Sequence, residues 1–271
     1  MEQSTITRLG DPLPASVAGY CTALDAGRVD DAVAAFSGDA IYAVPRPAAG
    51  ETDPRRVIEG RAALRSYLVE RGQRPTRHRF LFSAREGSAC LVEGLIEGTR
   101  EGVPVSTFAF SVELAADGLI TRYLAHVCSP PVEPWPRPGG AAPADAAGLV
   151  TRYFAALQAG RFEDAAACFA EDVTYSHPPY HHTGIHTTAR SVYRGRAELL
   201  DSFRRRGTTV YRHRVDVSIQ RGPNCMFEST VLDLPGGGFG SAVASLSLDP
   251  DGLIARYVAF YCEPGVQRAR A

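Results

Sequence analysis

Apolar residues recur three and four positions apart in two stretches of the chain, 17–24 and 150–157. This spacing is typical of a helix that buries one face, so we predict a helix at each stretch. Both stretches run into Ala-Gly-Arg, where glycine can adopt the left-handed conformation that ends a helix. A shorter helix is predicted directly afterwards, at 30–36 in the first half and at 163–169 in the second.

Each short helix is followed by an apolar strand, a long loop and a third helix that begins after Gly-Arg. Alternating apolar and polar positions then predict a run of strands with turn residues between them. Helices followed by antiparallel strands are typical of an α+β fold. The predicted strands lie near 40–44, 78–83, 90–98, 105–114 and 119–128, and near 173–176, 212–219, 225–234, 240–248 and 253–262.

The two halves of the chain repeat one another. Residues 17–36 and 150–169 are identical at eleven of twenty positions without a gap. Two further blocks match in the same order, the third-helix segments that begin at Glu59 and Arg194 and the strand motifs DGLITRY and DGLIARY. The offsets of the three blocks are 133, 135 and 134 residues. Such constant spacing indicates a tandem duplication.

A proline-rich segment separates the copies. Residues 129–143 read SPPVEPWPRPGGAAP and hold six prolines, which fix φ and remove backbone donors, so we expect a semi-rigid connector. We therefore divide the chain into an N-terminal tail at 1–14, a first domain at 15–130, a linker at 131–143 and a second domain at 144–265.

These motifs together resemble the SnoaL-like branch of the nuclear transport factor 2-like superfamily. The resemblance rests on the V-x-x-Y-x-x-A-L-x-A-G-R helix, the G-R-A-x-L third helix and the D-G-L-I-x-R-Y last strand, each present twice. It implies two tandem cone-shaped α+β domains, each a curved, mostly antiparallel sheet wrapped by about three helices around an apolar pocket. Such domains commonly pair through their sheets, so we expect an intrachain pseudo-dimer, with the chain a monomer of that form or a homodimer.

Composition and charge narrow the range of partners. The chain is 45% hydrophobic and 22% charged with a formal net charge of −1, so no overall field favours nucleic acid or an anionic membrane. The N-terminus has no apolar run like that of a signal peptide, and no stretch is long enough to span a membrane, so we expect a cytoplasmic protein. The six cysteines lie within apolar patterns without a CxxC pair, which predicts buried, reduced thiols.

The copies differ most in the loop after the first strand of each. Residues 175–186 read YSHPPYHHTGIH and hold four of the seven histidines, whereas the matching residues 45–56 hold none. In the family this loop lies at the pocket mouth, and imidazole suits proton transfer near neutral pH. We therefore expect the active pocket in the second copy, with a merely solvated loop as the alternative. We expect no cofactor, but a metal ion would find imidazole ligands at His177, His181, His182 and His186.

An Arg-His-Arg triplet lies in the strand after the third helix of both copies, around His78 and His213. Alternation places His213 on the same face as Val215 and Val217, and His78 on the same face as Phe82. That apolar face packs against helices or lines the cone. Each imidazole is therefore either a hydrogen-bonded core group or a catalytic one.

Other candidates lie on the later strands. Glu228 and its counterpart Glu93 occupy matched positions and are candidates for inward carboxylates with a raised pKa, although both faces of that strand are apolar. On the last strand, His126 stands where the second copy has Phe260. SnoaL-like cyclases often carry a polar acid–base group near the end of this strand, so the apolar Phe260 departs from the family pattern.

We expect a small-molecule enzyme of specialised metabolism: a cyclase, isomerase, dehydratase or related lyase. In the second-copy pocket, His213 and either His177 or His182 would act as acid and base, and Glu228 would complete the site. The predicted substrate contacts are Tyr175, Tyr180, His186 and Tyr257 in the second copy, and His78, Glu93 and His126 in the first.

Three alternatives use the same fold differently. A non-catalytic protein would hold a hydrophobic metabolite in the pocket, and a metal-dependent enzyme would use the histidine loop. The tandem layout also resembles two-domain epoxide hydrolases of polyether biosynthesis, which use paired carboxylates. Asp39 and Asp172 lie roughly where one such carboxylate would come, without an evident partner in the third helix.

Overall fold

Two α+β units follow one another along the chain, and a computed structural model describes them over residues 9–45, 55–100, 105–128, 131–137, 140–178, 190–208, 211–234, 237–262 and 265–268. Within these residues each unit has three helices and one sheet. The first unit contains helices α1 (Ala15–Asp25), α2 (Val29–Ala34) and α3 (Arg61–Arg71), and strands β1 (Leu9–Gly10), β2 (Phe36–Pro45), β3 (Arg55–Glu59), β4 (Thr76–Glu86), β5 (Ala89–Gly98), β6 (Ser106–Leu114) and β7 (Ile120–Cys128). The second contains helices α4 (Ala146–Gln158), α5 (Phe162–Ala166) and α6 (Arg196–Arg206), and strands β8 (Phe169–His177), β9 (Ser191–Arg194), β10 (Arg212–Arg221), β11 (Asn224–Leu232), β12 (Gly240–Leu248) and β13 (Ile254–Cys262).

The two sheets share the order of six strands, and the first sheet has β1 as an additional strand at one edge. The order is β1-β4-β5-β6-β7-β2-β3 in the first unit and β10-β11-β12-β13-β8-β9 in the second. The four later strands of each unit form an antiparallel meander, and β2 and β8 pair in parallel with β7 and β13. The predicted α+β class and tandem arrangement are confirmed. Strands β3 and β9 lie where a continuous loop was predicted, because four or five residues are too few to show a clear alternation.

Glycines end the first helix of each unit as predicted. Gly27 and Gly160 have φ values of 72° and 69°, in the left-handed region that a side chain disfavours. The second helices are shorter than predicted. They end at Ala34 and Ala166, because Phe36 and Phe169 already belong to the following strands.

The helices of each unit cover one face of its sheet. Side chains of the three helices pack there with aromatic residues of the strands into a separate apolar core for each unit. Members of the first core include Val17, Tyr20, Leu64, Leu68, Phe110 and Tyr123, and members of the second include Val150, Tyr153, Leu199, Phe203, Phe227 and Tyr257.

A β-bulge in β4 changes which face its residues occupy. The pairing register with β5 shifts between Phe80 and Phe82, and β10 has the same irregularity. An extra residue moves all later side chains to the opposite face. His78 and His213 therefore face the helices as predicted, but Phe82 and Val217 face the other unit. The prediction that they share the histidine face is wrong for this reason.

The other face of each sheet packs against the other unit. Strand β4 lies against β10, β5 against β11, β6 against β12 and β7 against β13, so each strand contacts its own counterpart. One apolar cluster contains residues of both units, among them Phe82, Leu91, Leu124, Met226 and Phe260.

Glu228 lies in this interface and not in the predicted second-copy pocket. Its carboxylate accepts hydrogen bonds from Arg122 of the first unit at 2.5 and 3.2 Å, from Ser111 at 2.5 Å and from Arg268 at 2.8 Å. Burial alone would raise the pKa of Glu228, but these partners, Arg122 foremost, lower the pKa below its ordinary value. The prediction that Glu228 has a raised pKa and a catalytic role in the pocket is therefore wrong, because Glu228 is held in an ion pair at the interface.

Glu93 makes the reciprocal contact. Arg256 of the second unit donates to both carboxylate oxygens of Glu93, with one separation of 3.1 Å, and its side chain also bonds Ser245. Glu93 and Arg256 are 0% and 1% exposed, so Glu93 cannot contact substrate as predicted. Contacts in both directions between equivalent residues support the expected packing of the two copies as a pair.

The described part of the linker follows the interface closely. Val132 is buried in the shared apolar cluster, and the carbonyl of Pro134 accepts a hydrogen bond from Arg256 Nε at 2.6 Å. Arg137 exchanges two hydrogen bonds with Asn224 of the second unit. The segment is therefore anchored to the second unit.

All six cysteines lie in the described part of the chain, where they are buried and form no disulfide bond, as predicted. Among the described residues, no helix is long and apolar enough to cross a membrane.

The reciprocal ion pairs give a stability prediction. We expect Glu93→Gln to lower the free energy of unfolding by about 3 kcal/mol, because it leaves the Arg256 charge buried without a counter-charge. Asp30→Asn is the matched control, since it removes an exposed pair with Arg65, and should cost at most about 1 kcal/mol. Denaturant unfolding of both variants measures the difference, and equal stabilities would contradict a structural role for the buried pair.

Candidate active site

The first unit encloses a cavity of about 400 Å³ between its helices and its sheet. The end of α1, the end of α3 and the inward faces of β2, β4, β6 and β7 form its walls. A cavity of this size suits a small organic molecule. Its lining includes Tyr20, Asp25, Tyr42, Tyr67, Arg71, Arg74, His78, Phe108 and Tyr123.

An aspartate and a histidine meet at the wall of this cavity. Asp25 is the last residue of α1, and its Oδ1 lies 2.6 Å from Nδ1 of His78 on β4. The other oxygen of Asp25 accepts a hydrogen bond from the backbone N–H of His78 at 2.9 Å. The imidazole also packs edge-on against Phe108, with ring centroids 5.4 Å apart. Both carboxylate oxygens thus hold the histidine in one orientation.

Three tyrosines lie beside this pair. The hydroxyls of Tyr20 and Tyr42 are 2.7 Å apart, and the Tyr42 ring stacks on Tyr123 with centroids 5.1 Å apart. Burial raises the pKa of all three phenols well above the ordinary value. They are therefore neutral hydroxyls at pH 7, able to donate as well as accept hydrogen bonds.

The second unit keeps this frame but replaces the aspartate. Gln158 occupies the position of Asp25 in the matched helices. Tyr153 and Tyr175 retain the hydroxyl contact, at 2.8 Å, and Tyr257 stacks on Tyr175. The cavity is smaller, about 60 Å³ against about 400 Å³ in the first unit.

His213 and His177 both line the second cavity, as predicted. The His213 ring stacks on Phe154 with centroids 4.2 Å apart, and its Nδ1 is buried without a hydrogen-bond partner among the described residues. Burial lowers the pKa of His213 to about 4, with Arg206 contributing. Burial also lowers the pKa of His177 to about 3, although its Nδ1 bonds the carbonyl of Pro178. Both imidazoles are neutral at pH 7.

His126 does not reach the first cavity. Tyr123, Ala125 and Val127 of β7 line the cavity, so alternation turns His126 to the opposite face. There it lies 3.4 Å from Arg55 and near Phe260 of the second unit. The predicted substrate contact through His126 is therefore wrong.

The remaining predicted residues divide into two groups. Tyr175 and Tyr257 line the second cavity and His78 lines the first, which agrees with their predicted placement. Asp39 and Asp172 are exposed and line neither cavity, so the structure gives no support to the epoxide-opening alternative. Tyr180, His181, His182 and His186 lie outside the described residues, and the metal-site hypothesis that depends on them stays a prediction.

Sequence reasoning missed Asp25. The sequence held a signal, because Asp25 aligns with Gln158 in a helix segment that is otherwise similar in the two copies. The loop with four histidines differs more strongly between the two copies, so the prediction of the active pocket rested on that loop. A carboxylate at the end of a helix is also common as a surface group, so only the contact with His78 reveals the place of Asp25.

Comparison with known proteins agrees with this architecture. A family model described as "SnoaL-like domain" matches residues 17–123 and again residues 150–257. The chain belongs to this SnoaL-like family. Its two matches lie within the predicted domain ranges. A search of curated proteins finds none that matches the chain.

Several solved structures are similar to single SnoaL-like units of the chain. A "putative ketosteroid isomerase" from Kribbella flavida DSM 17836 is 27% identical, with 46% of this chain and 89% of that chain covered and a TM-score of 0.35. An NTF-2 like protein from Burkholderia xenovorans LB400 is 21% identical, with 44% and 84% covered and a TM-score of 0.34. An LEH-like epoxide hydrolase from M. tuberculosis is 18% identical, with 42% and 80% covered and a TM-score of 0.34.

The two buried histidines of the second cavity give a titration prediction. We expect the imidazoles of His177 and His213 to stay neutral from about pH 8 down to about pH 5.5, because burial disfavours their charged forms. Long-range ¹H–¹⁵N spectra report the protonation state, and His177→Gln and His213→Gln assign the signals. A midpoint above about pH 6 for either group would contradict the burial of its ring.

Proposed function

We propose that the chain is an enzyme that transfers a proton on a small organic molecule held in the first-copy cavity, as an isomerase, dehydratase or cyclase does. The observation that carries this proposal is the Asp25–His78 pair at the wall of a cavity of about 400 Å³. A histidine held by a carboxylate is an arrangement that general acid–base chemistry uses.

The contact fixes which nitrogen of His78 reacts. Nδ1 faces the Asp25 carboxylate, so it carries the proton, and Nε2 then holds the free lone pair. That nitrogen is the base that takes a proton from the substrate and returns it at another position. Asp25 stabilises the imidazolium formed in between.

The tyrosine hydroxyls supply the complementary acid group. The Tyr20 hydroxyl is hydrogen-bonded to Tyr42 and also to Tyr123, and the last hydroxyl of such a chain keeps its own hydrogen for the substrate. A buried neutral donor stabilises an oxyanion, such as an enolate, that develops when a carbon-bound proton is removed.

The second cavity supports a second candidate function. In this function, predicted from the sequence, His213 and either His177 or His182 act as acid and base. One observation favours it, because His177 and His213 line the same cavity. Against this assignment, Glu228 belongs to the interface, and Gln158 replaces the carboxylate. Binding of a hydrophobic metabolite without catalysis is the corresponding non-enzymatic alternative, supported by the neutral imidazoles.

Matched variants in the two copies separate these functions. The assay follows α-proton exchange in D₂O by NMR with a panel of cyclic ketones and 1,3-diketones. We expect His78→Gln to slow exchange by about 10²- to 10⁴-fold, the usual contribution of a general base, and His213→Gln to leave the rate unchanged.

Two other results would favour the alternative functions. Loss in His213→Gln alone would favour the second cavity as the active site. No exchange above the uncatalysed rate with any probe, combined with retained ligand binding, would favour the non-catalytic alternative.

A further inference from the structure

Two arginines of the first cavity form no ion pair within the part of the chain that the structure describes. Arg71 is the last residue of α3, Arg74 follows in the turn to β4, and both line the cavity. Neither forms an ion pair with a carboxylate among the described residues, and Nε of Arg71 is buried without a hydrogen-bond partner there. Other arginines near α3 do pair, as Arg65 does with Asp30 at 2.8 Å. Arg71 and Arg74 thus bring two guanidinium groups to the cavity wall without a carboxylate partner among the described residues.

The charge balance of the cavity is positive. Asp25 is the one carboxylate among its described lining residues, and both of its oxygens are engaged by His78. The Arg71 charge lies close enough to the phenols of Tyr42 and Tyr123 to oppose the rise that burial causes in their pKa values. The Arg71 guanidinium therefore lies near the hydroxyls of Tyr42 and Tyr123 at the cavity.

The chemistry of these groups specifies an anion. A guanidinium presents a planar set of donors that matches the two oxygens of a carboxylate. In a partly buried site such a contact is worth more than on a surface, because less water competes for the donors. Phe108, Tyr67 and Ile96 provide apolar and aromatic walls beside the charge.

The second copy lacks this arrangement. The residue that corresponds to Arg74 is Thr209 in the aligned sequence. Arg206 corresponds to Arg71, and its guanidinium lies over the Phe203 ring at 5.4 Å. The pair of cavity arginines is a property of the first copy alone, as is the Asp25–His78 contact.

We propose that the first-copy cavity binds a substrate that is an unsaturated or aromatic carboxylate, with Arg71 as the carboxylate-binding residue and Arg74 as its support at the mouth. This inference rests on the proposed function only for the identity of the cavity as the reaction site. It places the anionic group near Arg71 and the reacting carbon near His78.

The test compares two probes of equal shape, 2-naphthoate and the uncharged 2-naphthamide, by calorimetry on the full chain. We expect the wild-type protein to bind the carboxylate at least about tenfold more tightly than the amide, as for one charge-assisted contact. Arg71→Gln should remove that preference and leave amide affinity unchanged. Arg206→Gln is the matched control and should keep wild-type affinity for both probes.

Three results would overturn the inference. They are equal affinity of the wild-type protein for both probes, binding of neither probe, and an undiminished carboxylate preference in Arg71→Gln. Thermal unfolding shows whether Arg71→Gln is folded. If it is not, Arg74→Gln and the fall of carboxylate affinity with added salt decide instead, because a guanidinium contact weakens in salt.

The same measurement separates this inference from the proposed reaction. His78→Gln should keep the preference for 2-naphthoate over 2-naphthamide while losing proton exchange. Retained exchange with normal carboxylate preference would reject the role of His78 alone. Lost exchange without any carboxylate preference would reject the role of Arg71 alone.

Discussion

The buried Arg122–Glu228 and Arg256–Glu93 pairs join the two sheets, and the rest of the structure depends on them. All four side chains are at most 2% exposed. A buried charge is costly unless a counter-charge and hydrogen bonds satisfy it, so each arginine requires the glutamate of the other unit. The apolar cluster around them is continuous across both sheets. Such pairs constrain the register of the two sheets, since a shift by one residue would leave four charges without partners.

The ion pairs do not constrain the face of each sheet that lines the cavity, so this face can differ between the two copies. Residues of one strand alternate between the interface and the cavity, so Arg122 and Leu124 face the second unit while Tyr123 and Ala125 face the first cavity. Both copies keep the ion-pair residues of the interface, and both keep three cavity tyrosines, which are Tyr20, Tyr42 and Tyr123 in the first copy. Replacement of a single helix-end residue, Asp25 in one copy and Gln158 in the other, gives one histidine a carboxylate partner and leaves the other buried and neutral. Under the proposed function the first cavity is the reactive one, and the second is a smaller cavity with no carboxylate among its described lining residues.

Much of the fold could be predicted because it depends on local patterns. Spacing of apolar residues, the Ala-Gly-Arg helix ends and the repeat determine the elements and their order. The candidate site was harder to predict from the sequence. Sequence alternation placed His78 and His213 correctly, but the bulges in β4 and β10 reversed the faces of Phe82 and Val217, and a bulge leaves no clear signal in one sequence. The direction of Glu228 depended on which face of its sheet meets the first unit, and periodicity alone does not tell this. Asp25 and His78 are 53 positions apart, so only the folded chain brings them together.

The account depends most directly on the Asp25 carboxylate, and exchange of residues between the copies tests it. The measurement is α-proton exchange of a ketone probe in D₂O by Asp25→Gln, which gives the first cavity the residue of the second, and by Gln158→Asp. The account predicts that Asp25→Gln is slower by at least about tenfold, with an unchanged unfolding midpoint, because His78 loses the group that orients it. It predicts the wild-type rate for Gln158→Asp. A wild-type rate in a folded Asp25→Gln variant would contradict the account.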